Sequence, residues 1–292
     1  MFDYRDIVEY LLILFRKRSD SPLSHSSAAN ELCEQVLSGT PTSVKVASDI
    51  SGKNPFYSLS LDNSLLSAVE LLSNAGIHRV NIIDDTAGRV VGVLSQTDLI
   101  RWLWNHASGL AGIFSQSLTT LGLVQSPEND GERLEKSPHR FIHHSLFCVD
   151  GECSVIDALK FMSDNQITSV AVLDSSSNSA ASMIGIISMT DVRMIFQRNQ
   201  YMDLFMSCAQ WISAVLSQAG LENGGRDRCP VFWVRESAQL GELVQKVLVT
   251  RVHRIWVEGE GGVGPVVGVV SLGDVLKVVL GQYYDASRVQ EE

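Results

Sequence analysis

Three short stretches of the chain carry one polar signature: Ser95-Gln-Thr-Asp98, Ser188-Met-Thr-Asp191 and Ser271-Leu-Gly-Asp274. Two others carry a cationic pair, His78-Arg79 and His253-Arg254. An ionised aspartate only accepts hydrogen bonds, and its two oxygens suit a pair of neighbouring hydroxyls. Arginine presents a planar fork of donors that fits phosphate oxygens, and histidine adds a donor whose charge changes near neutral pH. The same residues also have plainer explanations. Ser followed three residues later by an acid, ahead of an apolar helix, is a capping box. His-Arg also suits a solvated turn between helix and strand. No Ser-His-Asp order, activated Cys or paired-carboxylate motif stands out, so no catalytic residue is assigned.

Two further patterns are set aside. His139, His143, His144, Cys148 and Cys153 contain metal-ligand types, but Cys148 falls in a strand and Cys153 opens a helix, so no metal site is assigned. Gly259-Glu-Gly-Gly-Val-Gly264 has the spacing of a dinucleotide loop, yet a strand follows it rather than a helix, and it is expected to be a hairpin loop.

The elements that hold the polar signatures recur with them. Leu65, Val69 and Leu72 lie on one helical face ahead of the apolar run 79–83. Val155, Leu159 and Met162 repeat that spacing ahead of 169–173, and Leu240, Val244 and Val247 repeat it ahead of 254–257. The i, i+4, i+7 spacing predicts amphipathic helices, and the Val/Ile-rich runs bounded by Gly, Asp and Ser predict strands. A second strand, at 90–94, 183–187 and 266–270, then reads into each Ser-x-x-Asp and a further helix. These second strands are apolar on both faces, which predicts burial between layers. A partial fourth copy, Asp3-Tyr-Arg-Asp6 and the apolar stretch after it, resembles only the turn and the final helix. The rest of that copy is expected upstream of Met1.

The expected organisation is a remnant unit at 1–18, a Ser-rich linker at 19–51, and full units at 52–107, 143–197 and 229–285. Segments 108–142 and 198–228 connect them, each with an amphipathic helix, at Leu110–Leu123 and Tyr201–Leu216. The 292 residues carry 23 Lys+Arg against 33 Asp+Glu, a net charge of −10, with 45% apolar residues. That composition suits globular cores and disfavours a nucleic-acid groove. The longest N-terminal apolar run, Leu11–Phe15, is far short of the ~18 residues of a membrane span. Five widely spread cysteines suit a reduced compartment, and a cytoplasmic or nuclear location is expected.

The repeated unit ending in Ser-x-x-Asp resembles the cystathionine β-synthase (CBS) domain. The phrases Gly76-Ile-His-Arg-Val, Thr250-Arg-Val-His-Arg-Ile-Trp-Val and Val267-Gly-Val-Val-Ser-Leu-Gly-Asp-Val-Leu look most like the gamma regulatory subunits of AMP-activated (SNF1-type) protein kinases. The resemblance implies an α/β architecture of two tandem CBS-pair (Bateman) modules. The remnant would join 55–107, and 143–197 would join 229–281. It implies a non-catalytic regulatory protein, without a cofactor, whose ligand is AMP, ADP or ATP. Ribose contacts would fall to Asp6, Asp98, Asp191 and Asp274, assisted by Thr97, Thr190 and Ser271, although Gly273 departs from the pattern there. Phosphate contacts would fall to His78, Arg79, His253 and Arg254, with Thr168 and Ser169 standing in for His-Arg in the third unit. Kinase catalytic and scaffold subunits would be the partners, self-association would follow from the modules, and neither nucleic acid nor membrane is expected. The competing reading is a ligand-free CBS scaffold for protein interaction. An enzyme with attached CBS units would need a catalytic domain, for which no span remains.

Overall fold

The computed structural model describes residues 3–16, 44, 48, 50–52, 55–106, 108, 110–124, 147–174, 182–198, 200–222, 231–259 and 266–289. Most of the expected linker at 19–51, the histidines at 139, 143 and 144, and loop residues 260–265 lie outside these.

An N-terminal helix α1 (Tyr4–Arg16) precedes the first full repeat. That repeat runs β1 (Ser58–Ser60), α2 (Leu65–Asn74), β2 (Arg79–Asp84), β3 (Arg89–Ser95) and α3 (Gln96–Asn105), followed by a single-turn helix α4 (Ala111–Phe114). The next runs β4 (Cys148–Asp150), α5 (Val155–Asp164), β5 (Ser169–Asp174), β6 (Ser182–Ser188) and α6 (Val192–Arg198), with α7 (Cys208–Glu222) after it. The last runs β7 (Trp233–Arg235), α8 (Leu240–Thr250), β8 (Arg254–Glu258), β9 (Val266–Ser271) and α9 (Leu272–Val289). Each repeat forms its own three-stranded sheet, in which the short first strand pairs parallel with the second and the second pairs antiparallel with the third. A register shift falls at the same place in all three, at Ile82/Ile83, Val172/Leu173 and Val257/Glu258.

Local chemistry explains the helix ends. Ser64 and Ser154 cap α2 and α5 by accepting from the N–H groups of Ser67 and Asp157, which satisfies a donor the helix leaves open. One residue just past the first helix of every repeat takes a left-handed conformation: Gly76 (φ 64°), Gln166 (φ 58°) and Arg251 (φ 59°). Each lies two residues before the His-Arg or Thr-Ser position.

The chain divides into two compact units, residues 1–55 with 147–230 and residues 56–146 with 231–292. This departs from the expected grouping of adjacent repeats. In the first unit Val8, Leu11 and Leu12 of α1 share a core with Leu159, Met162 and Ile195 of the 147–198 repeat. In the second, Leu72, Leu99 and Leu103 share a core with Leu240, Val244, Val275 and Leu276, so the 55–106 repeat joins the 231–281 repeat. The cause is that α1, α3 and α9 bury apolar faces against helices of another repeat, and alternate repeats supply those helices.

Two other expectations are corrected. The second strands are not equally buried: Val90, Val91 and Val93 of β3 are 49%, 44% and 55% exposed, whereas Ile187 and Val270 are fully buried. In β6 the neighbouring Gly185 lies under Ile212 of α7, whose Cδ1 is 2.9 Å from the position of an added Cβ. Gly268 of β9 is covered by Val124 at 3.6 Å, but Gly92 of β3 has nothing within 4 Å. Connecting segments, not the strand sequence, decide burial. Of 110–123, only Ala111–Phe114 is α-helical; turns and a bridge from Ser117 to Gln239 complete it.

Candidate functional site

Strand register brings the two polar signatures of each repeat side by side. Arg79 pairs across the sheet with Ser95, Ser169 with Ser188, and Arg254 with Ser271. One residue earlier, a carbonyl accepts from the N–H that follows the serine: His78 O from Gln96 at 3.0 Å, Thr168 O from Met189 at 3.0 Å, and His253 O from Leu272 at 3.1 Å. Motifs 16–19 residues apart in sequence thus form one turn-against-turn surface per repeat.

All four aspartates make the same local contact. The Oδ2 of Asp6, Asp98, Asp191 and Asp274 accepts from the N–H three residues back, at 3.0, 3.1, 2.7 and 2.9 Å. The hydroxyls of Ser95 and Ser271 add donors at 2.6 Å. The capping geometry is therefore present, including at the start of α1, where Asp3 replaces the serine. It engages one carboxylate oxygen only, so capping and ligand contact are compatible. At Asp6 the second oxygen is taken by the N–H (3.1 Å) and hydroxyl (2.8 Å) of Ser51, and the residue is fully buried. At Asp98, which is exposed, Oδ1 meets Arg101 at 3.3 Å. The Ser95 hydroxyl, more than Arg101, holds the Asp98 carboxyl below its ordinary range. Asp274 is buried. Thr97 is half-buried, and Thr190 is exposed with its hydroxyl 2.9 Å from that of Ser188.

Within the second unit, the turns of two repeats adjoin. A Cβ on Gly273 would lie 3.4 Å from the Gln96 side-chain nitrogen. Arg79 and Arg254 both act electrostatically on His253. Crowding by surrounding protein, then Arg254 and Arg79, press the His253 pKa below its ordinary value, although the residue keeps an exposed edge. The His-Arg pairs of the two repeats therefore share one electropositive neighbourhood. In the first unit the equivalent Thr168 is half-buried and Ser169 buried, and neither adds charge.

Sequence reasoning missed Gln96. It is buried, its amide donates to the Leu72 and Ile77 carbonyls at 3.0 and 3.1 Å, and its oxygen lies 3.4 Å from His78 Nδ1. An amide oxygen only accepts, so His78 Nδ1 is the donor in this contact. The signal was available: Met189 and Leu272 occupy the same position in the other repeats, and a lone polar residue there breaks the pattern. A cavity of ≈ 430 Å³ opens elsewhere, lined by Trp233, Arg235, Glu242 and Lys246, and contains none of the predicted site residues. Among the described residues no group of three His, Cys, Asp or Glu could hold a metal ion, and no helix is long and apolar enough to cross a membrane.

Repeats of this topology, closed by an aspartate-capped turn, define a class. The chain belongs to the CBS-domain family, whose signature matches residues 47–105, 140–198 and 227–281, more than half of its length. Among individual proteins, it is 30% identical over 305 residues to Protein SDS23 of Kluyveromyces lactis, covering 99% of this chain and 54% of that protein. It is 32% identical over 261 residues to Protein SDS24 of Saccharomyces cerevisiae, covering 88% of this chain and 45% of that protein. The chain spans about half the length of the curated relatives it matches. In structure it is similar to a Methanocaldococcus jannaschii protein described as a candidate archaeal homologue of g-AMPK, with a TM-score of 0.64, 13% identity and coverage of 95% and 82% of the two chains. A conserved protein of Pyrococcus horikoshii gives a TM-score of 0.51 at 16% identity, covering 77% and 79%. At these identities the likeness is one of fold.

Proposed function

We propose that the chain is a non-catalytic regulatory protein that binds an adenine nucleotide in its second unit. The phosphate would sit at His78, Arg79, His253 and Arg254, and the ribose hydroxyls at Asp98 or Asp274. The observation that carries this reading is the convergence of two His-Arg pairs from different repeats beside two capped aspartates. Arginine and histidine side chains gathered at one surface offer donors and positive charge that suit a phosphate. Regulation would follow if AMP, ADP and ATP favour different arrangements of the chain and a bound protein partner, a coupling that is typically ~1–3 kcal/mol. Kinase catalytic and scaffold subunits are the partners that the gamma-type resemblance suggests. The likeness to SDS23 and SDS24 makes the partners of those proteins the competing set.

The test is isothermal titration of the chain with AMP, ADP and ATP. Micromolar binding is expected, weakened at least tenfold by Arg79→Ala or Arg254→Ala, since a hydrogen bond to a charged group contributes about 1.5–3 kcal/mol. Arg235→Ala, a cation beside the separate cavity, should leave it unchanged. Absence of heat and of any melting shift up to millimolar nucleotide refutes the proposal. The first unit favours the scaffold reading instead: Ser51 occupies Asp6, and Thr168-Ser169 replaces the cationic pair.

A further inference from the structure

Two cysteines far apart in sequence meet at the junction of α5 and α7. Ser154 and Ser207 pair across an isolated antiparallel bridge. The Val155 N–H donates to Met206 O at 3.0 Å on one side of it, and the Cys208 N–H donates to Cys153 O at 2.8 Å on the other. That register sets Cys153 directly opposite Cys208, so both side chains leave the ladder on the same face. Directly opposed residues in an antiparallel ladder have Cα atoms ~4.5–5.5 Å apart, inside the ~4.4–6.8 Å that a disulfide spans. The Cys153 thiol donates to Ser154 O at 3.6 Å, and each thiol lies close enough to influence the ionisation of the other. Cys208 is fully buried and Cys153 is partly open to solvent.

We propose that Cys153 and Cys208 are an oxidisable dithiol that closes to an intrachain disulfide under a peroxide oxidant. The more open Cys153 attacks as its thiolate: its sulfur takes one peroxide oxygen, the O–O bond breaks, and the first water leaves. Cys208 sulfur then displaces hydroxide from the resulting sulfenic acid, forming the S–S bond and the second water. In sum, two thiols and one hydrogen peroxide give one disulfide and two waters. The bond closes a loop around the whole 154–207 segment, which contains α5, β5, β6 and α6, and pins the start of α7 to the start of α5. Burial foremost, with the carboxylates of Asp157 and, for Cys153, Asp150 nearby, raises both thiols, Cys208 to about 12. Both are therefore protonated at pH 7, and closure accelerates as pH rises.

The experiment treats the unmodified, reduced chain with hydrogen peroxide, blocks remaining thiols, and maps linked peptides by mass spectrometry without reduction. The expected result is a Cys153–Cys208 peptide pair lighter by two hydrogens, with a melting temperature raised by about 5 °C or more and reversed by a reducing agent. Cys153→Ser and Cys208→Ser should each abolish the pair, while Cys148→Ser should not. No such pair under conditions that oxidise other cysteines, or a dominant link from either residue to Cys33, Cys148 or Cys229, overturns the proposal. Because the linkage is read on the native sequence, a poorly folding variant does not obscure the outcome.

Discussion

The left-handed residue that ends the first helix of each repeat can be tested by exchange. Gly76 has φ 64°, and a Cβ added there would meet nothing within 4 Å, so Gly76→Ala carries a backbone cost alone. An L-residue in this region costs ~1–2 kcal/mol, partly offset by the ~0.4–1 kcal/mol that alanine removes from the freedom of the unfolded chain. The net expectation is a loss of about 1 kcal/mol. Arg251→Gly at the equivalent position (φ 59°) should do the reverse, with a gain of about 0.5–1 kcal/mol, because its exposed side chain is lost but the Arg251 N–H still reaches Val247 O at 2.9 Å. Urea unfolding followed by tryptophan fluorescence reads this unit, since Trp102, Trp104, Trp233 and Trp256 lie in it and Trp211 in the other. With a slope near 2 kcal/mol/M, Gly76→Ala should lower the midpoint by about 0.5 M at unchanged slope. Gly92→Ala is the control, because it has equal space without the left-handed backbone, and it should be neutral or slightly stabilising. If Gly76→Ala and Gly92→Ala behave alike, or Arg251→Gly destabilises, the conformational argument fails.

Gly185→Ala should cost ~1–3 kcal/mol, because the new methyl meets Ile212 at 2.9–3.3 Å. Ile212→Val in the same chain should recover part of it, and a double-mutant cycle without coupling would contradict that contact. His253, its pKa lowered from 6.5, contributes stability that is intact above pH 6.5 and lost as pH falls from there through the folded-state value. Melting curves from pH 8 to 5 should therefore fall more steeply for the native chain than for His253→Gln, and equal slopes would refute this linkage.

Much of the fold was legible because repetition removes ambiguity. The six long strands and the capped helices recur in register, so each copy supports the reading of the others. The three-residue strands β1 and β7 were not readable, since three residues carry no periodicity. The grouping of alternate repeats was hidden for a different reason: it depends on which helix faces meet, and all the helices advertise similar apolar stripes. Of the candidate site, the Ser-x-x-Asp and His-Arg residues were evident as types, and strand register explains their adjacency. The satisfaction of Asp6 by Ser51, 45 residues away, and the role of Gln96 depend on tertiary contacts that spacing cannot encode.

The alternation of repeats also bears on synthesis. Neither compact unit is a continuous stretch of chain, so neither can complete on the ribosome as its first half emerges. The 55–106 repeat must wait for Trp233 and beyond, and at ~5–20 residues per second that delay is on the order of ten seconds. Throughout it the apolar faces of α2 and α3, including Leu72, Leu99 and Leu103, lack the helices α8 and α9 that cover them in the finished protein. Truncations before residue 240, which remove α8 and α9 together, should leave the early repeat unpartnered rather than merely shorten the protein.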